Sequence, residues 1–466
     1  MSAPRTVLLI DFGSTFTKVS AADLQSGEII GTAAAYTTVE TDVGEGLAAA
    51  LSELRRRTGP LRFDARLACS SAAGGLRMVA SGLVPALTAE AAKVAALGAG
   101  AKVVKVYSYE LTDEDVEQIA RAKPDIFLLT GGTDGGNREC ILHNAEMLAG
   151  CEAEFPILLA GNRSCAAQCE KLLSGREVYR CENVMPALGK LNVEPVGRRI
   201  RELFLRKIVH AKGLSREAGL ISGIMMPTPA AVLRGVELLA KGTGAQPGLG
   251  ELVAVDLGGA TTDVYSMAEG APTRENTLIK GLPEPWAKRT VEGDIGMRYS
   301  AAGVLEAVGA QRLASLSGLE PGAVEEMVAQ IEKNPSTLPD TPRQAALDFA
   351  LASAAVEVAM TRHAGSIEEH YTPTGQVWLQ TGKDLTRVGT LIATGGALIH
   401  NKDAAKIAAH ALRSPAAPQS LRPKAARILI DRRYILSAAG LLSGEYPEAA
   451  MAIMNKELAV DDANHP

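Results

Sequence analysis

The sequence predicts an α/β protein of more than one lobe, and three observations carry that prediction. Short apolar strands alternate with helices from about Val103 onward, the pattern of a parallel sheet covered on both faces. Two distant segments, around Asp11 and around Asp256, repeat one pattern of apolar strand, Asp, apolar residue, Gly, hydroxyls and returning strand. Composition agrees: 46 glycines and 4% aromatics in 466 residues suit tight strand–helix turns. At about 100–200 residues per domain, the length allows two to four lobes.

Charge and cysteines exclude several function classes. Lys and Arg number 48 against 53 Asp and Glu, a net charge of −5. A nucleic-acid binder with a broad basic surface is therefore not expected. Cys69, Cys140, Cys151, Cys165, Cys169 and Cys181 include no C-x-x-C pair. They read as free thiols in a reducing compartment. Met1–Arg5 leads straight into a strand, and no apolar run is long enough to cross a bilayer. A cytoplasmic location without membrane association is expected.

The elements follow in order. Val7–Ile10, Thr17–Ala22 and Glu28–Tyr36 read as a three-strand meander. Leu47–Arg57 reads as a helix and Ala65–Ser70 as a strand. The alternating block runs Val103–Tyr107, Asp113–Ala122, Asp125–Thr130, Asn137–Leu148, Pro156–Ala160, Cys165–Leu173 and Glu177–Cys181. Thr112 caps its first helix, whose opening turn is acidic. This block reads as a small Rossmann-like or flavodoxin-like unit inserted at about 86–190. Helices Val196–His210 and Ala230–Leu239 follow, then a Gly-rich linker over Lys241–Gly250. Leu252–Val255 and Thr262–Met267 form the second strand pair. Thr277–Gln380 reads as mainly helical. Thr390–Thr394 and Ile428–Asp431 are the last strands, and Ala438–Leu442 has helical potential. Lobe boundaries are expected near 1–245 and 246–457, with a helical part near 278–386 and a loose tail over 458–466.

The repeated segments carry the chemistry. They are Leu8-Leu9-Ile10-Asp11-Phe12-Gly13-Ser14-Thr15-Phe16-Thr17-Lys18 and Val253-Ala254-Val255-Asp256-Leu257-Gly258-Gly259-Ala260-Thr261-Thr262-Asp263-Val264. Glycines let backbone N–H groups approach phosphate oxygens, and Ser/Thr hydroxyls add donors. An Asp at each strand end can hold hydrated Mg²⁺ through its waters. The expected nucleotide contacts are Gly13, Ser14, Thr15, Lys18, Gly258, Gly259, Thr261 and Thr262, with Asp11 and Asp256 toward the metal. A third element, Leu391-Ile392-Ala393-Thr394-Gly395-Gly396-Ala397, follows an apolar strand. Its Gly395-Gly396 pair can let an adenosine lie flat against backbone. Thr130–Asn137, with glycines around Asp134, reads either as another anion-binding turn or as a tight strand–helix turn. Arg198, Arg199, Arg201, Arg206 and Lys207 cluster around one helix.

In this order the three motifs resemble those of the actin-like ATPase superfamily, which includes heat-shock chaperones, sugar kinases and actin. The resemblance covers nearly the whole chain. It implies two lobes built on duplicated ribonuclease-H-like domains, with ATP or ADP and Mg²⁺ held between them. It also implies nucleotide contacts at Glu292 and Asp294. Further segments narrow it: Ala68–Met78, Leu129–Asn137 and Gly281–Asp294 are similar to those of MutL-type accessory proteins of adenosylcobalamin-dependent mutases, notably glutamate (methylaspartate) mutase. That group is unrelated to the mismatch-repair protein of the same name. A mutase partner and a reactivating role are what the resemblance implies.

One departure bears on catalysis. The chaperone relatives place a water-positioning Glu ahead of the second phosphate motif, where this chain reads Met225-Met226-Pro227-Thr228-Pro229-Ala230-Ala231. Met226 falls at the carboxylate position, and a thioether cannot orient or deprotonate water. Slow hydrolysis is expected, with Asp263 the first substitute. The alternatives are a small-molecule kinase of the same fold, a non-hydrolysing nucleotide-dependent assembly protein, and an electron-transfer activator, which would need cluster-ligating cysteines.

Overall fold

The computed structural model describes residues 5–13, 15–37, 43–71, 76–211, 225–373 and 375–460. Its contacts divide into two units. One comprises Met1–Ala21, Ala33–Ala231 and Gly281–Pro283; the other comprises Ala22–Thr32, Val232–Lys280 and Glu284–Pro466. The division thus falls at 231, earlier than the expected 245, because the helix Thr228–Lys241 is shared between the two.

A five-stranded sheet, most of it in the first unit, runs in the order Met225–Pro227, Ala65–Ser70, Thr6–Phe12, Phe16–Asp23, Glu28–Tyr36. Its first three strands are parallel. Thr6–Phe12 is buried along nearly its whole length, as a central strand with both faces covered must be. Leu8, Ile10 and Phe12 pack against Leu47, Ala50 and Leu54 of the helix Val43–Thr58.

A second sheet in this unit is wholly parallel, ordered Lys102–Ser108, Arg77–Gly82, Ile126–Leu129, Ile157–Leu159, Val178–Arg180. Its first strand in sequence lies second in space, and the chain then crosses to the other side. That is the flavodoxin-like doubly wound order. Met78, Ala80, Ile126, Leu128 and Leu158 face one core with the helices Glu90–Gly98 and Val193–Ala211. Val79, Phe127, Leu129, Ile157 and Leu159 face the opposite core. The sheet begins at Arg77, ahead of the expected start near 86. Its opening strand, Arg-Met-Val-Ala-Ser-Gly, carries too few large apolar residues to stand out in sequence. The cap on the next helix forms as expected: the Thr112 hydroxyl accepts from the Asp115 N–H, and Asp115 accepts from the Thr112 N–H.

The second unit repeats the first sheet's plan. Its order is Ala287–Glu292, Thr262–Met267, Leu252–Leu257, Thr390–Thr394, Arg427–Asp431, Leu458–Val460. In both units the central strand pairs with its following hairpin partner on one side and with a parallel strand on the other. Leu458–Val460, expected to be loose, pairs antiparallel with Arg427–Asp431. The segment 461–466 lies outside the described residues.

The stretch read as mainly helical is helical only in its middle. Helices Ala301–Val308, Ala310–Ser317, Pro321–Lys333 and Pro342–His363 occupy it. Strands Thr277–Lys280, Ser366–Thr372 and Gly375–Thr381 form a small sheet around them, and Ala287–Glu292 joins the main one. The period-2 signal of these strands is masked because most of their residues are exposed on both faces.

The helix Pro342–His363 ends on a buried imidazole. His363 Nδ1 lies 2.8 Å from the Thr290 hydroxyl and Nε2 lies 2.8 Å from that of Ser266. Burial, with the nearby Lys288 and Lys383 charges, holds its pKa well below the ordinary value. The unfolded chain therefore takes up this proton near pH 6.5, before the folded one does. The His363 contribution to stability should be constant above that pH and fall progressively below it. Calorimetric melting of wild type and His363→Gln between neutral and mildly acid pH checks this, and the variant should lose that share of the acid sensitivity.

Candidate functional site: two aspartate hairpins

In the first unit Asp11 ends the central strand and is only 6% exposed. The Thr228 hydroxyl donates to its Oδ1 at 2.6 Å, from the first turn of the helix Thr228–Lys241. Asp11, Cys69 and Met226 are in register on three adjacent parallel strands, so their side chains share one face of the sheet. Burial pushes the Cys69 thiol well above its ordinary range, and the Asp11 carboxylate adds to this. The Thr228 contact and the Lys18 charge oppose the shift. Beyond Asp11 the chain turns tightly: the Gly13 N–H donates to the Phe16 carbonyl at 3.1 Å. A Cβ on Gly13 would lie 2.6 Å from that same oxygen, so only glycine fits. The Thr15 carbonyl accepts from the Thr37 N–H. Ser14, an expected phosphate contact, lies outside the described residues.

In the second unit Asp256 occupies the equivalent strand end. The Tyr434 hydroxyl donates to its Oδ2 at 3.0 Å. Tyr434 reaches it from a backbone φ of 55°, a left-handed conformation that a bulky residue rarely adopts. Its turn is pinned by Asp431, whose carboxylate accepts from the Ile435 and Leu436 N–H groups and from the Thr394 hydroxyl. Gly395 has φ 97°, and a Cβ there would sit 2.3 Å from the Leu257 carbonyl oxygen and 2.7 Å from Asp256 Oδ1. The Gly395-Gly396 turn and the Asp256 strand end therefore meet through bare backbone, and Gly396 opens a short helix.

The hairpin after Asp256 closes like its counterpart, the Gly258 N–H donating to the Thr261 carbonyl at 2.9 Å. Its outward carbonyls are all engaged. Gly258 accepts from the Met297 N–H, Gly259 from Arg298 and Tyr299, and Ala260 from the Ser300 hydroxyl. Thr262 is fully buried and donates to the Ile295 carbonyl at 2.9 Å, so its hydroxyl is committed within the fold, whereas Thr261 stays part-exposed. Asp263 is held by Arg289: Nε lies 2.7 Å and the second guanidinium nitrogen 2.6 Å from Oδ1. Burial alone would lower the Arg289 pKa, but the Asp263 charge outweighs it and the pKa rises. Glu292 pairs with Arg362 at 2.6 Å. Asp294, 68% exposed at its side chain, is 3.7 Å from the same arginine.

The structure thus gathers Asp11 and Gly13 at one strand end, with Lys18 on the returning strand Phe16–Asp23, and Asp256, Gly258, Gly259, Thr261, Gly395 and Gly396 at the other. Glu292 ends the strand Ala287–Glu292, opposite Thr262, and Asp294 follows it; both lie against Arg362. Thr228 and Tyr434, the hydroxyls on the two aspartates, are not among the residues expected from the sequence. Thr228 stood inside the quoted Met-Pro-Thr-Pro stretch and could have been singled out as a hydroxyl donor; no local signal marked Tyr434. The Thr130–Asn137 turn, one of whose readings was an anion site, is tied internally. Asn162 and Asn183 amides take the carbonyls of Gly132, Gly136 and Asn137, and the Asp134, Gly135 and Gly136 N–H groups all donate within the protein.

A sheet plan used twice, each copy ending its central strand in Asp followed by a glycine hairpin, is the duplicated architecture that the resemblance to the actin-like superfamily implies. The chain belongs to the MutL protein family, whose model matches residues 7–458. It is 47% identical over 455 residues to Protein MutL of Clostridium tetanomorphum, covering 97% of this chain and 98% of that one. Solved structures give weaker likenesses. Xylulose kinase from Bifidobacterium adolescentis is 12% identical at TM-score 0.33, covering 99% of this chain and 96% of that one. A glycerol dehydratase reactivase is 10% identical at TM-score 0.32, covering 94% and 99%. Likenesses at those TM-scores say nothing about function.

Proposed function

We propose that this protein is an ATP-binding reactivating chaperone of an adenosylcobalamin-dependent mutase, glutamate (methylaspartate) mutase in particular. Nucleotide-dependent hinge motion would promote release of damaged cofactor. The supporting observation is family membership over nearly the full chain together with an Asp–Gly hairpin on each of two like-ordered sheets. The residues fit Mg·ATP: Asp11 and Asp256 are single carboxylates at strand ends, each already oriented by a hydroxyl, as suits a metal held through its waters. The side-chain-free Gly395-Gly396 turn offers backbone for an adenosine to lie against. Bound Mg²⁺ would supply charge neutralisation at the phosphates. Thr228 and Tyr434 keep the two carboxylates aimed, and Gly13 and Gly258 hold the hairpins closed. Differential contacts to ATP and ADP would then bias two states of the partner-binding surface.

The test is reactivation. Mutase inactivated by a cobalamin lacking its adenosyl group, supplied with adenosylcobalamin, Mg·ATP and this protein, should recover activity. Recovery equal to that without the protein overturns the proposal. Replacing Glu117 and Arg121, an exposed pair at 2.9 Å on the inserted domain, should reduce reactivation without changing nucleotide affinity.

A second reading, nucleotide used without appreciable hydrolysis, has an observation of its own. Met226 is 2% exposed, and Asp263 is neutralised by Arg289. A thioether is no base toward water, and Asp263 is already engaged by Arg289. The isolated protein should therefore turn over far more slowly than the ~10 s⁻¹ of a typical enzyme. Met226→Glu, which returns a carboxylate to the face shared with Asp11, should raise the single-turnover rate. A fast wild-type rate in rapid-quench measurements would show that another group does this work.

A further inference from the structure

The inserted domain carries a cleft whose lining shares no residue with the aspartate hairpins. Its volume is about 860 Å³, and it lies at the carboxyl ends of Ile157–Leu159 and Val178–Arg180. Small ligands of doubly wound sheets bind at that edge, and a volume of this size accepts a mononucleotide-sized molecule. Five cations line it: Arg163, Arg180, Lys190, Arg198 and Arg199. Three of them come from segments outside the basic helix, so the convergence is a product of the fold. In a chain of net charge −5 it is not a background of positive surface.

The carboxylates present do not cancel it. Asp134 accepts from the Arg163 N–H and the Asn183 amide, and lies 3.6 Å from the Arg163 guanidinium. Glu202 pairs with Arg199 at 2.7 Å. Glu182 accepts from the Asn192 amide. Arg180 has only a 3.9 Å contact with Glu170, outside the cavity lining. Lys190 and Arg198 make no ion pair among the described residues. The first turn of the 19-residue helix Val193–Ala211 adds its partial positive charge, with Asn192 and Pro195 on the cavity wall. Asn183, 4% exposed, forms part of the lining and makes its polarity part of the built structure.

We propose that this cavity binds a phosphate monoester of a hydroxylated small molecule. Lys190, Arg198 and Arg180 hold the phosphate, which suits the planar forks of arginine. Glu182 and Asp134 accept from sugar-like hydroxyls. A pocket of about 860 Å³ at the sheet edge where doubly wound folds take small ligands favours a small organophosphate over an acidic polypeptide segment.

Cys181 lines the cavity and provides the readout. It is half-buried while the other five cysteines are buried, and burial raises its thiol above the ordinary range. Alkylation of Cys181 by N-ethylmaleimide would be followed by site-resolved mass spectrometry, without nucleotide and at matched ionic strength. Inorganic phosphate and ribose 5-phosphate are the probes. Both should slow alkylation by the factor 1 + [L]/Kd, about tenfold at ten times Kd, with the sugar phosphate effective at lower concentration. Lys190→Glu and Arg198→Glu change exposed side chains and should each remove the protection, while leaving Mg·ATP affinity unchanged. Absence of protection by either probe at millimolar concentration overturns the proposal. So does equal protection by sodium chloride, which would be screening alone. Protection by polyglutamate but not by the phosphates overturns it as well and assigns the cavity to an acidic polypeptide. None of these outcomes bears on the aspartate hairpins, so this proposal and the chaperone reading fail separately.

Discussion

Asp11→Ala and Asp256→Ala are each expected to weaken Mg²⁺-dependent ATP affinity more than tenfold, about 1.4 kcal/mol. Each removes a carboxylate that ends a central strand and already accepts from a fixed hydroxyl, Thr228 in one case and Tyr434 in the other. The two losses have different side effects. Asp11 is 6% exposed and packed against Cys69, so its removal also relieves the charge that raises the thiol. Asp256 is less buried, so its variant should be the cleaner probe. Calorimetric titration with and without Mg²⁺ separates metal-linked loss from general damage. Unchanged Mg·ATP affinity in both variants would remove the phosphate-clamp assignment.

Arg289→Met is expected to give the largest loss of stability, about 3–5 kcal/mol. Arg289 is 5% exposed and its partner Asp263 is 8% exposed. Truncating the guanidinium leaves a buried carboxylate on the strand Thr262–Met267 whose remaining hydrogen bond, among the described residues, is a weak one from the Thr261 hydroxyl at 3.4 Å. The double variant Arg289→Met with Asp263→Asn should recover part of the loss, because the uncompensated charge is gone. Urea unfolding of the three variants measures this. A single-variant loss below about 1 kcal/mol would mean that water reaches Asp263 and that the pair resembles a surface bridge.

Much of the architecture was legible because its signals are local. The apolar runs ending at Asp11 and Asp256 are central strands with both faces buried, so hydrophobicity alone marked them. Thr112 and the acidic turn after it fixed a helix start through chemistry within four residues. The strand Arg77–Gly82 was not legible. It is central to the inserted sheet, yet its small residues suit close packing on the segment Pro85–Ala89 rather than a large apolar signal. The exposed strands around the helical subdomain failed for the opposite reason, since no buried face imposed a period.

The sequence by itself determined that two Asp–Gly hairpins and a Gly-Gly turn exist, in that order, and that the apolar Met226 precedes the second of them. Glycine at a turn and Asp at a strand end are demands of backbone geometry, and these show in a single residue type at a fixed spacing. Only the tertiary structure decided what each side chain is free to do. It committed Thr262 to the Ile295 carbonyl and Asp263 to Arg289, and brought Thr228 onto Asp11 and Tyr434 onto Asp256. It also drew Arg163, Arg180 and Lys190 around the helix that carries Arg198 and Arg199. Those pairings join residues far apart in the chain. No local propensity encodes them; packing of whole sheets sets which groups meet and which are already satisfied.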